Sequence, residues 1–188
     1  MKTLFIENRV NYDGSALKPL YGYVHHHLRG DSIISFIGKC DVTLEHMVDA
    51  EDFVISAKIQ SDRMLHFIVE VFGQNLMTAV VLQRLLVSMA QNLLQRQYQV
   101  ILRRDGDDLY LDQDEKSLKL SVSIASVSAV SAMIHLGINV ENKGTPVPTC
   151  ALSDFKVDAQ EFAQQLMKKF SDEFISMREA TQKVKPLF

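Results

Sequence analysis

A lysine stands alone in an apolar run. Lys119 lies between Leu118 and Leu120, with Val122 and Ile124 continuing the pattern. An ammonium is costly to bury unless something pairs with it. Strand alternation could turn Lys119 outward to water, which suits a residue type seldom fully buried. The other reading is that it faces a ligand with a polar or anionic group, and spacing alone leaves both open. Upstream, Arg103, Arg104, Asp105, Asp107 and Asp108 crowd the end of one strand. A hairpin with the tip Asp112-Gln113-Asp114-Glu115-Lys116-Ser117 follows and pairs the Lys119 strand with that cluster, so the charges converge. Downstream, Ile134-His135-Leu136-Gly137-Ile138-Asn139-Val140 puts His135 and Asn139 on one face of a third strand.

Other residues that could do chemistry are scattered. Cys150 follows Pro146-Val147-Pro148-Thr149, and a thiolate beside an ammonium is activated as a nucleophile; a cysteine merely packed is the alternative. His66 and Glu70 share a strand face with Ile68, as a lined pocket or a hydrogen-bonded core pair would have them. Arg29-Gly30-Asp31-Ser32 either presents a guanidinium and backbone N–H groups to an anion or is a turn that needs Gly30. His25, His26 and His27 are consecutive, and on a strand they point to opposite faces, a poor geometry for three metal ligands. His46 with Glu45, Asp49, Glu51 and Asp52 forms an acidic patch that could hold a cation through oxygen or simply cap a turn.

The elements that must position these residues can be read from periodicity. Residues 3–6 and 20–24 read as short strands around a turn at 11–15. Residues 32–42 read as a strand with Gly38 as a bulge, and 63–72 as another with alternating faces. Asn75 to Gln97 is the one long helix, apolar on most faces and so packed across a sheet. Strands are expected at about 99–104, 107–112 and 117–140, the last broken near Ser128. A last helix starts at Asp158, an N-cap with Glu161 three residues on, and carries Phe162, Leu166, Phe170, Phe174 and Met177 on one face. The expectation is α+β, a mixed, largely antiparallel sheet with helices packed on one face.

Composition bounds the function. The 188 residues suit one domain spanning 1–188, with 47% hydrophobic and 23% charged residues, as in a soluble globular protein. A net charge of −3 offers no basic stripe for nucleic acid. Two distant cysteines, Cys40 and Cys150, fit a reducing compartment and no thiolate zinc site. Glu7 and Arg9 interrupt any signal-peptide pattern, and no run reaches the roughly 20 apolar residues of a membrane span. A cytoplasmic protein, possible as a homodimer, is expected.

The order of long apolar helix, strand, Asp107-Asp108-Leu109-Tyr110-Leu111 turn, Lys119 strand and Gly137-Ile138-Asn139-Val140 strand resembles the catalytic core of biotin and lipoate protein ligases. In those enzymes an Asn-Asp turn precedes a lysine strand, and the lysine contacts the acyl group and phosphate of an acyl-adenylate. The pattern departs at Arg103-Arg104-Asp105-Gly106, where the ligases have Lys-Trp-Pro, and at Ser121 to Ser123, where they have glycines. The hairpin is also longer. The ligases' Gly/Arg-rich loop is replaced by residues 54–62, Val-Ile-Ser-Ala-Lys-Ile-Gln-Ser-Asp, with neither residue type; a phosphate cradle ordinarily uses glycine. Octanoyl transferases share that fold and pair their lysine with a cysteine on a following loop, as Lys119 and Cys150 would, although Ala151 stands where their glycine would be. Over nearly its whole length the chain more closely resembles a prokaryotic family of unknown function, family 366. The matching pieces are Tyr-Asp-Gly-Ser (12–15) and residues 30–42, 45–52 and 64–70. These resemblances imply a ligase-type fold with Lys119 and Cys150 as catalytic candidates. The ligand-binding candidates are Arg29, Asp31, His66, Arg104, Asp107, Asp108, His135 and Asn139, Asp108 orienting a ligand or metal. The implied partner is a small molecule, acyl or nucleotide, with no metal assigned and the cofactor unknown. A non-catalytic binding module that kept the pocket and lost the phosphate loop is the alternative.

Overall fold

Apolar residues at period two, on both faces of the same strands, make a sheet buried on both sides. The computed structural model describes residues 1–187. Its main sheet contains β1 (Lys2–Ile6), β2 (Ser32–Asp41), β3 (Gln60–Phe72), β7 (Ser121–Val127) and β8 (Ser131–Asn139), in the order β1-β2-β3-β8-β7. β1 and β2 run parallel and the other neighbours antiparallel. β4 (Arg103–Asp105), β5 (Asp108–Gln113) and β6 (Lys116–Lys119) form a small antiparallel sheet beside it. Asp114 and Glu115 turn the β5–β6 hairpin, both in left-handed backbone, as a tight two-residue connection requires.

One face of the main sheet carries Ile33, Leu65, Phe67, Val69, Ile134, Leu136 and Ile138 into the principal core. Helices α3 (Leu76–Tyr98) and α4 (Ala159–Gln182) cover this face. Asn75 caps α3 by accepting from the Thr78 N–H at 2.9 Å, and Asp158 caps α4 by accepting from the Glu161 N–H at 2.8 Å, as the cap pattern predicts. Along α4 the residues Phe162, Leu166, Phe170 and Phe174 are buried, and Met177 packs beside them. By length and composition α3 could cross a membrane, but here its apolar face packs on the sheet and α4.

The opposite face, bearing Ile34, Phe36, Cys40, Met64 and Ile68, builds a second, smaller core with Tyr12. Residues 20–24 correct the expectation of a strand: they open α1 (Tyr21–His26), a short helix lying over this face. Leu20 adopts left-handed backbone, and its N–H is taken by the buried Glu70 carboxylate at 2.7 Å, so the segment cannot extend along the sheet. Gly22 then seats the helix, because a Cβ there would come within 2.9 Å of the Ser32 hydroxyl. The acidic segment forms a single 3-10 turn at Leu44–His46 and α2 (Ala50–Val54), capped by Asp49.

β2 shifts register between Gly38 and Cys40, where the bulge was expected. A Cβ at Gly38 would collide with the Val10 carbonyl of the crossing chain. Gly38→Ala is therefore expected to destabilise the protein by roughly 1–3 kcal/mol, as forced overpacking does. Urea denaturation followed by circular dichroism measures it.

Candidate functional site

Lys119 owes its position to a change of sheet. β6 ends at Lys119 and β7 begins at Ser121, so the chain crosses from the small sheet to the large one at Leu120. The fully buried Leu120 donates its N–H to the Leu109 carbonyl at 2.8 Å and accepts from the Asn139 N–H at 3.0 Å, so one residue belongs to both sheets. The backbone of Lys119 is held by a strap from the following loop: its N–H donates to the Pro148 carbonyl at 3.0 Å, and its carbonyl accepts from the Cys150 N–H at 3.2 Å. Strict alternation would send Lys119 to one face of one strand. The break instead places it in the wall of a cleft between the sheets.

That cleft has a volume of about 420 Å³. Its floor is apolar, with Met64, Val122 and Ile124 from the sheet and Val42 and Ile59 from the edge. Its walls hold Asp107, Asp108, Lys119, Ser121, Ser123 and Asn139, and residues 46–49, 57–58, 60, 145–147 and 149 add to the lining. Gly14, with φ of +98°, lies against His46 and locks the loop carrying Tyr12 to that lining.

The Lys119 Nζ lies 2.7 Å from the Asp108 Oδ2, with only 27% and 22% of the two side chains exposed. Burial opposes the lysine charge, but the hydrogen bond and charge of Asp108 outweigh it and hold Lys119 above its ordinary pKa. Burial pushes the Asp108 carboxyl up, against the pull of Lys119. Asp107 accepts from the Gln83 amide at 2.6 Å and the Ser123 hydroxyl at 2.9 Å. Gln83, a polar residue of α3, is thus buried and props the acidic turn. Asn139 donates its amide to the carbonyls of Lys119 at 3.3 Å and Cys150 at 3.4 Å, while its Oδ1 is buried without a partner.

Of the residues singled out in the sequence, Asp107, Asp108, Lys119 and Asn139 meet in this cleft, and His46, Asp49 and Asp52 of the acidic patch line it as well. His66 and His135 sit beneath it. Their rings are hydrogen-bonded, Nδ1 to Nε2, at 3.0 Å, and Tyr12 stacks on His135 with centroids 4.0 Å apart, so Tyr12 separates the pair from the cleft it lines. Glu70, on the same strand face, instead holds the Leu20 N–H and the Ser131 hydroxyl. Cys150 lies behind Lys119: it is buried, its thiol points to the Leu118 carbonyl, and burial pushes the thiol up to about 11. Arg104 is exposed and donates to the Gly106 carbonyl, outside the cleft lining. Arg103 binds Asp112 and Ser117 on the hairpin. Arg29 and Asp31 lie elsewhere as well, and the Asp31 carboxylate ties the Phe72 N–H to Arg178. His25 and His26 fall in the last turn of α1. Sequence reasoning missed Tyr12 and Lys58, which also line the cleft. Lys58 was legible as a cation in the loop lacking arginine; Tyr12 gave no signal beyond a turn.

The comparisons with known proteins agree with this architecture. The model of the family described as Domain of unknown function (DUF366) matches residues 1–185. The chain also shares 35% identity, over its whole length and 86% of the relative, with the uncharacterized protein MJ0805 of Methanocaldococcus jannaschii. It belongs to the DUF366 family. A solved protein of unknown function from Pyrococcus horikoshi superposes with a TM-score of 0.93 at 37% identity, covering 100% of this chain and 99% of that one. The biotin protein ligase of Aquifex aeolicus, in complex with biotin and ATP, gives a TM-score of 0.60 at 14% identity, covering 95% of this chain and 72% of that one. A bi-partite lipoate protein ligase from Thermoplasma acidophilum gives 0.59 at 12% identity, covering 93% and 83%. The fold is that of the biotin and lipoate ligases.

The buried histidines make stability depend on pH. Burial holds His66 down to about 3, against an ordinary 6.5, and His135 is also well below that value through burial and the neighbouring His66. The unfolded chain binds these protons first, so the stabilisation is complete above the unfolded pKa and is lost as pH falls towards the folded one. Going from about pH 7 to about pH 5 should cost about 2 kcal/mol or more, read as a fall in the urea midpoint between the two buffers.

Proposed function

We propose that the cleft binds a small carboxylic acid, with its carboxylate on Lys119, and that the protein activates this acid as ligase-type enzymes do. The observation that carries the reading is the Lys119 ammonium, partly shielded from water and set above an apolar floor. A cation so placed attracts a carboxylate and stabilises charge as it develops on a phosphate or acyl oxygen. The solved ligase with biotin and ATP bound supports the pairing of an acid with a nucleotide on this fold. Activation joins a carboxylate oxygen to the α-phosphorus of ATP, breaks the bond to pyrophosphate, and leaves an acyl-adenylate. In this reading Lys119 neutralises both reacting oxygens, and Asp108 orients its ammonium.

Acyl transfer through a Cys150 thioester is disfavoured. Its thiol is turned away from the cleft and held protonated by burial, whereas a nucleophilic cysteine needs a lowered pKa and access. A non-catalytic binding module is the second reading, favoured by one observation: the loop at 57–60 reaches the cleft with Lys58 but without a glycine to cradle phosphate.

Thermal shift against ATP, AMP, biotin, lipoate, octanoate and free amino acids, with and without magnesium, tests both. A bound ligand at about 100 times its Kd adds roughly 2.7 kcal/mol to stability. Lys119→Ala should abolish that shift and lower the stability of the free protein by only about 1 kcal/mol. Stabilisation by ATP together with an acid, lost in the variant, supports activation; an acid acting alone supports the binding module. Ligand shifts unchanged in Lys119→Ala would remove the lysine from the site.

A further inference from the structure

The charges around the cleft say more about the acid. Four carboxylates line it, Asp49, Asp52, Asp107 and Asp108, against two lysines, Lys58 and Lys119, and His46. Among the described residues the only salt bridge in the cleft joins Lys119 to Asp108. Asp107, beside that pair, is met by the neutral Gln83 and Ser123 groups alone. A plain carboxylate arriving at Lys119 would make one ammonium serve two carboxylates, with a third nearby. Like charges at such range in a shielded site repel strongly.

A second observation concerns Asn139, only 3% exposed. Its amide nitrogen donates to two backbone carbonyls, which fixes the orientation of the group and leaves the oxygen as a pure acceptor. That oxygen is buried and has no partner. Buried acceptors are nearly always satisfied, and this one belongs to a residue of the cleft wall, on the strand next to Lys119. A ligand that brings an N–H donor along with its carboxylate answers both observations. Its ammonium replaces the charge withdrawn from Asp108 and supplies a hydrogen to Asn139. The remaining floor, Met64, Val122, Ile124, Ile59 and Val42, suits an apolar substituent.

We propose that the acid is a 2-amino acid with an apolar side chain, its carboxylate on Lys119 and its amino group facing Asp107, Asp108 and the Asn139 oxygen. This assignment rests on the acid-binding reading above and narrows it to a zwitterion.

Isothermal titration calorimetry of the full chain, with and without ATP, tests it using L-leucine and L-phenylalanine. Isocaproate and hydrocinnamate serve as the same ligands without the amino group, and isoamylamine and phenethylamine as those without the carboxylate. At least one amino acid should bind about tenfold or more tighter than both of its truncated forms. Asp107→Asn should lower the ratio of amino-acid to deaminated-acid affinity; if that variant does not fold, Asp108→Asn should lower the same ratio, in part by freeing Lys119 for the deaminated acid. A deaminated acid binding as tightly as its amino acid overturns the zwitterion and leaves the acid-binding reading intact. An amine binding as tightly as the amino acid overturns both, since the carboxylate then contributes nothing. Should no amino acid bind, the inference fails, and octanoate and lipoate in the same calorimeter decide whether acid binding survives.

Discussion

Leu120 is the residue through which the two sheets are joined. Its N–H closes the small sheet and its carbonyl opens the large one, so the side chains before and after it face one cleft from two directions. Everything chemical in the molecule follows from that crossing. Lys119 stands at the last position of one sheet, Ser121 at the first of the other, and Asn139 on the strand that receives the crossing. The strap at 148–150 adds two more backbone hydrogen bonds, giving Lys119 a fixed main chain and leaving its ammonium to pair with Asp108. Fixing the backbone in the unliganded protein reduces what a ligand must order when it binds.

The molecule separates its two kinds of buried polar group, which share one face of the main sheet, by solvent access. The histidine pair is dry, neutral and stacked under Tyr12, which makes it part of the packing. The lysine–aspartate pair is half-shielded and ionic, which leaves it responsive to an incoming charge. Polar residues at similar spacing on neighbouring strands thus take opposite roles. What distinguishes them is access: Tyr12 covers the histidines, whereas the lysine–aspartate pair, with Tyr110 beside it, opens onto the cleft.

Much of the architecture was legible in the sequence because it rests on local signals. Period-two alternation marked β2, β3 and β8, the apolar run from Asn75 and the cap at Asp158 marked the long helices, and Gly38 marked the register shift. The failure at 20–24 was one of tertiary override: a buried Glu70, distant in sequence, captures the Leu20 N–H and turns the chain into a helix. The strand that was read from Leu118 through Ile124 hid the crossing at Leu120, since a change of sheet leaves no mark on hydrophobicity. For the site, Asp107, Asp108, Lys119 and Asn139 were found through hairpin logic and the resemblance to the ligases. Arg29 and Asp31 were selected as a charged glycine turn and Arg104 as part of the charge cluster, and they lie outside the cleft because neither signal encodes the direction of a side chain. Tyr12 and Gln83 were not assigned to the site because their roles depend on which distant segment packs against them.

The β5–β6 hairpin tip bears on how relatives of this chain can diverge. Asp114 and Glu115 are exposed and turn the chain in left-handed backbone, well beyond the residues that reach the main sheet. Residues can be gained or lost there in matched pairs without disturbing the partnership of Leu109 with Leu120. Hairpin length is therefore free to drift through evolution while the spacing from Lys119 to Ser121 is not. An alignment that slides gaps into the tip will keep true equivalents together, and one that places a gap at Leu120 will pair residues from opposite walls.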